Sequence, residues 1–145
     1  MYKNILVPTD GSAGAHVAFD HALSLAETGD STVHGVYVVE QIYGADVGTE
    51  RILEAMQAQG TRAVEDFADM AEAEGVEAVT EVRMGTPHKE ILDYVEENNV
   101  DLIVMGTHGR TGLNRYLLGS VTEKVVRLSD VPVLTVRMPA GDEER

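Results

Sequence analysis

Short apolar runs alternate with stretches of helical periodicity from one end of this chain to the other, and that alternation limits the fold most. "NILVPTD" reads as a strand ending in a turn. "SAGAHVAFDHALSLAETG" places Val17, Ala18, Leu23, Leu25 and Ala26 at helical spacing, with Ser12 as N-cap and Gly29 as stop. "STVHGVYVVE" is a second strand and "QIYGADVG" a loop. "TERILEAMQAQGTRAVEDFADMAEAEG" is a long helix weakened at Gly60. "VEAVTEVRMG" is a third strand. "TPHKEILDYVEENN" is a helix capped by Thr86 with Pro87 in its first position. "VDLIVMG" is a fourth strand, "SVTEKVVRLSD" a helix and "VPVLTVRM" a fifth strand. Such a pattern predicts an α/β fold with a parallel sheet covered by helices on both faces. The unbroken apolar run Leu102-Ile103-Val104-Met105 suits a strand buried on both sides. No repeat, low-complexity tract or linker divides the chain, so residues 1–138 read as one domain and 139–145 as a flexible acidic tail.

The length of 145 residues suits a single core. No run is long enough to span a bilayer, and nothing at the start reads as a signal peptide. Zero cysteines remove disulfide and thiolate chemistry. These features point to the cytoplasm. Eleven Lys+Arg against 25 Asp+Glu give a formal net charge of -14, a surface that repels nucleic acid and anionic lipid. Either the acids form a patch for a basic partner, or they keep the chain soluble in a salt-rich, halophilic cytoplasm. Their spread along the helices favours the second reading, which expects stability to rise with added KCl.

In folds of this class, ligands sit beyond the carboxyl ends of the strands, where strand order reverses. Three loops leave strand ends with unusual chemistry: Pro8 to Ser12, Val38 to Glu40, and Gly106 to Ser120. The last carries Gly106, Gly109, Gly112 and Gly119. Glycine lets backbone N–H groups approach an anion with no side chain between. Gly119-Ser120 stands where the next helix begins, and a helix N-terminus offers free N–H groups and a positive dipole end to phosphate. Ser120 adds a hydroxyl, and Arg110 and Arg115 bring positive charge. On these grounds alone, a long structural turn stays an open alternative. The better-known phosphate loops are absent: there is no G-x-x-x-x-G-K-[ST], and no G-x-G-x-x-G follows the first strand.

Other polar residues suggest less. His16, His21, His34, His88 and His108 lack the spacing of a metal site, and His108 reads as a solvent-facing loop residue. Ser12 is better explained as a helix cap than as a nucleophile. No residue stands out to position a hydrolytic water, and Arg110 is the one candidate to stabilise transferring phosphate.

Gly106-x-x-Gly109, nine residues, then Gly119-Ser120 resembles the nucleotide-binding motif of the universal stress protein family. "KNILVPTDGS", "MGTP" and "VPVLTV" extend the likeness over nearly the whole chain in family order. The resemblance implies a Rossmann-like open sheet of five parallel strands in order 3-2-1-4-5, and the ATP-binding branch of the family. It implies that Pro8, Thr9 and Asp10 form the first-strand turn, with Asp10 on the nucleoside side. Val38 would contact adenine, and Met105 and Gly106 would lie beside the ribose. Gly109, Gly119, Ser120 and Val121 would hold phosphates, mostly through backbone N–H, with Arg110 nearby. The ligand would be ATP, ADP or AMP, with Mg2+ bridging phosphate oxygens. Asp10 is the only obvious carboxylate near them, so a protein metal cage is not expected. The implied activity is that of an ATP-binding regulatory protein in stress response, working as a homodimer through the C-terminal edge strand. An interaction module without nucleotide and a slow ATPase or phosphotransferase are the alternatives.

Overall fold

A computed structural model describes residues 2–40, 47–107 and 118–138. Its elements are β1 (Asn4–Thr9), α1 (Ala13–Gly29), β2 (Thr32–Glu40), α2 (Val47–Ala73), β3 (Ala78–Gly85), α3 (Pro87–Glu97), β4 (Leu102–Gly106), α4 (Ser120–Leu128) and β5 (Val133–Val136). The strands form one parallel sheet in the order β3-β2-β1-β4-β5. Fold class and strand order are therefore as expected.

Successive side chains of a strand point to opposite faces, so a central strand with no polar positions must be covered twice. Ile5, Val7, Leu102 and Val104 pack on one face with Ala18, Phe19 and Ala22 of α1 and Phe67 and Ala71 of α2. Phe19 and Phe67 stack there with ring centroids 3.9 Å apart. Leu6, Val36, Ile103 and Met105 pack on the other face with Ile91, Tyr94 and Val95 of α3 and Val125 of α4.

Several local readings change. α1 does end at Gly29, but the left-handed residue that closes it is Asp30, at φ 58 and ψ 40, whose N–H bonds the Ala26 carbonyl. Aspartate tolerates that region better than most residues with a Cβ. α2 runs unbroken through Gly60 because packing overrides propensity: a Cβ there would lie 2.7 Å from the Tyr37 ring. Thr86 stands at the N-cap of α3 without a side-chain capping bond. Ser12 does cap α1, its side chain accepting from the Ala15 N–H. The strand expected at 131–138 is confined to Val133–Val136. The proposed tail, 139–145, lies outside the described residues.

Ladder lengths open the sheet at one end. β1 pairs with β2 as far as Thr9↔Tyr37, but with β4 only at Ile5↔Leu102 and Leu6↔Ile103. Beyond Ile103, β4 goes on pairing with β5 and no longer with β1. Pro8, which has no N–H to give a ladder, lies past the point where β1 and β4 separate. Strand order reverses between these same two strands, so the crevice is the topological switch point.

Candidate functional site

The β1–α1 turn is fixed by its own short polar side chains. Thr9 Oγ1 accepts from the Gly11 N–H at 3.0 Å, and Asp10 Oδ1 accepts from the Ser12 N–H at 2.9 Å. Ser12 Oγ in turn accepts from the Ala15 N–H at 3.2 Å. Gly11 sits at φ +82, a conformation that disfavours a side chain. Across the crevice, β4 ends at Gly106, where a Cβ would lie 3.0 Å from the Gly14 carbonyl oxygen. That glycine lets α1 close on β4. The Gly106 carbonyl accepts from the Thr122 hydroxyl at 3.0 Å, which ties the strand end to the first turn of α4.

Between these elements lies a cavity of about 300 Å³. Its wall includes Pro8, Thr9 and Asp10 from β1 and its turn, Val38 from β2, and Met105 and Gly106 from β4. Gly119, Ser120 and Val121 complete that side of the wall. Every described residue of the expected site is thus in one cavity. Gly109 and Arg110, named for the same site, and His108 and Arg115 lie outside the described residues.

Two expectations need correction. The Gly119 N–H donates to the Thr107 carbonyl at 2.8 Å, so it does not point to a phosphate. The donors that remain are the N–H groups of Ser120, Val121 and Thr122 in the first turn of α4, which meet no acceptor among the described residues. Gly119 itself is the N-cap, at φ -61 and ψ 155, extended backbone that any residue adopts. Second, Asp10 is not the only carboxylate: Glu40, at the end of β2, also lines the cavity. No Lys, Arg or His lines it among the described residues. Among the described lining residues, positive potential comes from helix N-termini, with Ser120 and Val121 at the start of α4, Ser12 at that of α1 and Pro87 at that of α3.

Ser12, from the first of the loops singled out above, also lines the cavity, as do Ala15, Val36, Tyr37, Met56, Pro87, Ile91 and Thr122, which were not anticipated. Val36 could have been found: once Val38 is assigned, the two-residue period of a strand puts Val36 on its face, as it does Glu40 of the loop already singled out. Met56, Pro87 and Ile91 depend on which strand ends α2 and α3 overhang, and helical periodicity does not carry that.

Behind the cavity, β2 and α3 are joined by a polar chain. His34 Nδ1 and the Tyr94 hydroxyl lie 2.6 Å apart, and His34 Nε2 lies 3.0 Å from Asn4 Oδ1. Asn4 Oδ1 can only accept, so Nε2 carries the proton and Nδ1 accepts from Tyr94. Burial holds the His34 pKa below its ordinary value. Burial first, then the Glu81 and Glu97 charges against an opposing Arg83, push Tyr94 up to about 12.

Residues 1–137 match the family model described as the universal stress protein family. A universal stress protein of Methanocaldococcus jannaschii is 42% identical over 143 residues, covering 96% of this chain and 84% of that protein. The structure of UspA from Lactobacillus plantarum superposes with a TM-score of 0.82 at 29% identity, over 94% of this chain and 98% of that one. Two more distant structures share the fold. One is a universal stress protein in complex with cAMP, at TM-score 0.72 and 24% identity, covering 93% and 97% of the two chains. The other, from Arabidopsis thaliana with AMP bound, has a TM-score of 0.73 at 20% identity, covering 97% and 94%.

Proposed function

This chain belongs to the universal stress protein family, and from that premise we propose that it is an ATP-binding regulatory protein whose nucleotide biases conformation or assembly under stress. The observation that carries this reading is the cavity at the β1/β4 switch point, with Ser120, Val121 and Thr122 of α4 on its wall and their N–H groups meeting no acceptor among the described residues. The cAMP and AMP of the two distant structures support an adenine nucleotide as ligand class.

In the proposed pose, phosphates lie against Ser120, Val121 and Thr122, and the base lies toward Val38. Asp10 faces the nucleoside. Among the described residues, no group of three or more His, Cys, Asp or Glu is placed to hold a metal. Mg2+ would therefore arrive with the phosphates and neutralise them near Asp10. We extend the proposal to a homodimer through β5.

Mass spectrometry of small molecules released from purified, denatured protein tests the reading. ATP, ADP or AMP at about one per chain is the expected result. An empty chain that also takes up no ATP in calorimetry would overturn it.

A further inference from the structure

We propose that Met56 is a peroxide-reactive sulfur whose oxidation regulates occupancy of the cavity. The inference rests on the nucleotide reading above and adds a modification site to it.

The chain has no cysteine, so any thioether chemistry belongs to its six methionines. Two of them line the cavity from opposite sides, Met56 on α2 and Met105 on β4. Their exposures differ. Met105 is 6% exposed, buried in the core between β4 and the α3 and α4 side chains. Met56 is half-buried: its neighbours Leu53 and Val82 pack with it against Tyr37, Val39, Ala63 and Val64. Met84 on β3 is not a lining residue and is 40% exposed. Oxidation follows exposure, so Met84 should react first, Met56 next and Met105 last.

The reaction needs only a peroxide. The thioether sulfur attacks one peroxide oxygen and the O–O bond breaks. A sulfoxide and one water leave the step, with sulfur oxidised by two electrons and peroxide reduced by two. A flexible apolar wall thereby gains a strong, stereogenic hydrogen-bond acceptor. Met56 packs in one cluster with Tyr37, another lining residue, and shares the cavity with Val38, toward which a planar base lies in the proposed pose. The sulfoxide oxygen must either stay hydrated, which fills the slot, or lose its water against the base. Both outcomes weaken binding. Conversely, a bound base covers the sulfur.

The test treats purified protein with hydrogen peroxide, with and without saturating ATP, and follows each methionine by peptide mass spectrometry. Met56 should oxidise about fivefold more slowly with ATP, while Met84, an exposed reference outside the cavity, should be unaffected. Calorimetry should show ATP affinity falling about tenfold in peroxide-treated wild type, recovering after methionine sulfoxide reductase treatment. In Met56→Leu, affinity before and after peroxide should agree. Equal Met56 oxidation rates with and without ATP would overturn the inference, as would an equal peroxide-induced loss in Met56→Leu. Untreated protein that takes up no ATP would overturn the nucleotide reading itself, which separates the two failures.

Discussion

β3 and β5 both end the sheet, and the chain treats the two edges differently. β3 has eight residues, with Glu81 and Arg83 on one of its faces. The Arg83 guanidinium meets Glu81 at 2.7 Å and Glu90 at 3.6 Å, pairs with Glu97, and lies 4.9 Å above the Tyr94 ring. β5 has four residues, Val-Leu-Thr-Val, with no charge and with Leu134 38% exposed. Charged side chains on an edge discourage addition of a further strand, whereas a bare apolar edge invites it. The difference teaches that α3 ties the charged side chains of one edge to the body of the chain, while the other edge carries no such charge, as the proposed homodimer through β5 requires.

The largest effect is expected at β5. If a second copy covers this edge about a two-fold axis, Leu134→Lys places two like charges in an apolar contact, one from each chain. The dimer should weaken by several kcal/mol, giving a monomer at micromolar concentration in light scattering. Wild-type protein that scatters as a monomer under the same conditions would remove the proposed interface.

A smaller effect belongs to β3. The Arg83 side chain is 12% exposed, and its three carboxylate partners are 44%, 27% and 56% exposed. The two short ion pairs outweigh the desolvation of the guanidinium and hold its pKa above the ordinary arginine value. Arg83→Met leaves three carboxylates around a neutral side chain, with water screening much of their repulsion. A loss of about 1–3 kcal/mol is expected in urea unfolding, with association unchanged. Arg83→Lys should recover only part of it, because an ammonium lacks the planar fork and the stacking surface. Wild-type stability in Arg83→Met would show that the β3 cluster does not hold α3.

The same α3 contact should make stability depend on pH. His34 is held neutral by burial, with its folded pKa below the ordinary value of 6.5. Above pH 6.5 both states are neutral at this site and nothing is lost. As pH falls below the unfolded value, the unfolded chain binds a proton that the folded chain does not yet accept, so stability falls. The slope approaches about 1.4 kcal/mol per pH unit until pH reaches the folded pKa. Between pH 6.5 and 5, His34→Gln should show a flatter stability profile than wild type in chemical denaturation. Parallel profiles would assign the acid sensitivity to carboxylates elsewhere.

The contrast between edges also marks what the sequence reveals. The alternation of runs is enough for a parallel sheet, and "VPVLTV" reads as a bare strand because nothing in it is charged. The order of strands came from the family likeness, since local pattern says nothing of which strands pair. The Arg83 cluster joins residues up to 14 apart, and its partners are known only once α3 packs across β3. The cavity divides in the same way. Pro8 to Asp10, Val38 and the start of α4 could be read from turn chemistry and family motif. Met56 and Ile91 reach the cavity through the placement of whole helices, and the Gly119 N–H is taken by a carbonyl that only folding brings near. Glu40 was legible through strand alternation.

The smallest expected effect is the sharpest control on the comparison. Val79 is 42% exposed on β3, close to the exposure of Leu134 on β5, so the same change to lysine can be made on each edge. By strand alternation Val79 shares a face with Glu81 and Arg83. The new ammonium in Val79→Lys would stand two residues from the Glu81 carboxylate and be repelled by the Arg83 guanidinium beyond it. These effects oppose each other in a solvated setting, so stability should stay within about 0.5 kcal/mol of wild type. Association should not change, because an edge already carrying charge gains nothing new that would block a partner strand. Paired light-scattering runs on Val79→Lys and Leu134→Lys at one concentration read this directly. If Val79→Lys also dissociates the protein, β3 belongs to the interface, and the charges on that edge are partner contacts rather than a guard.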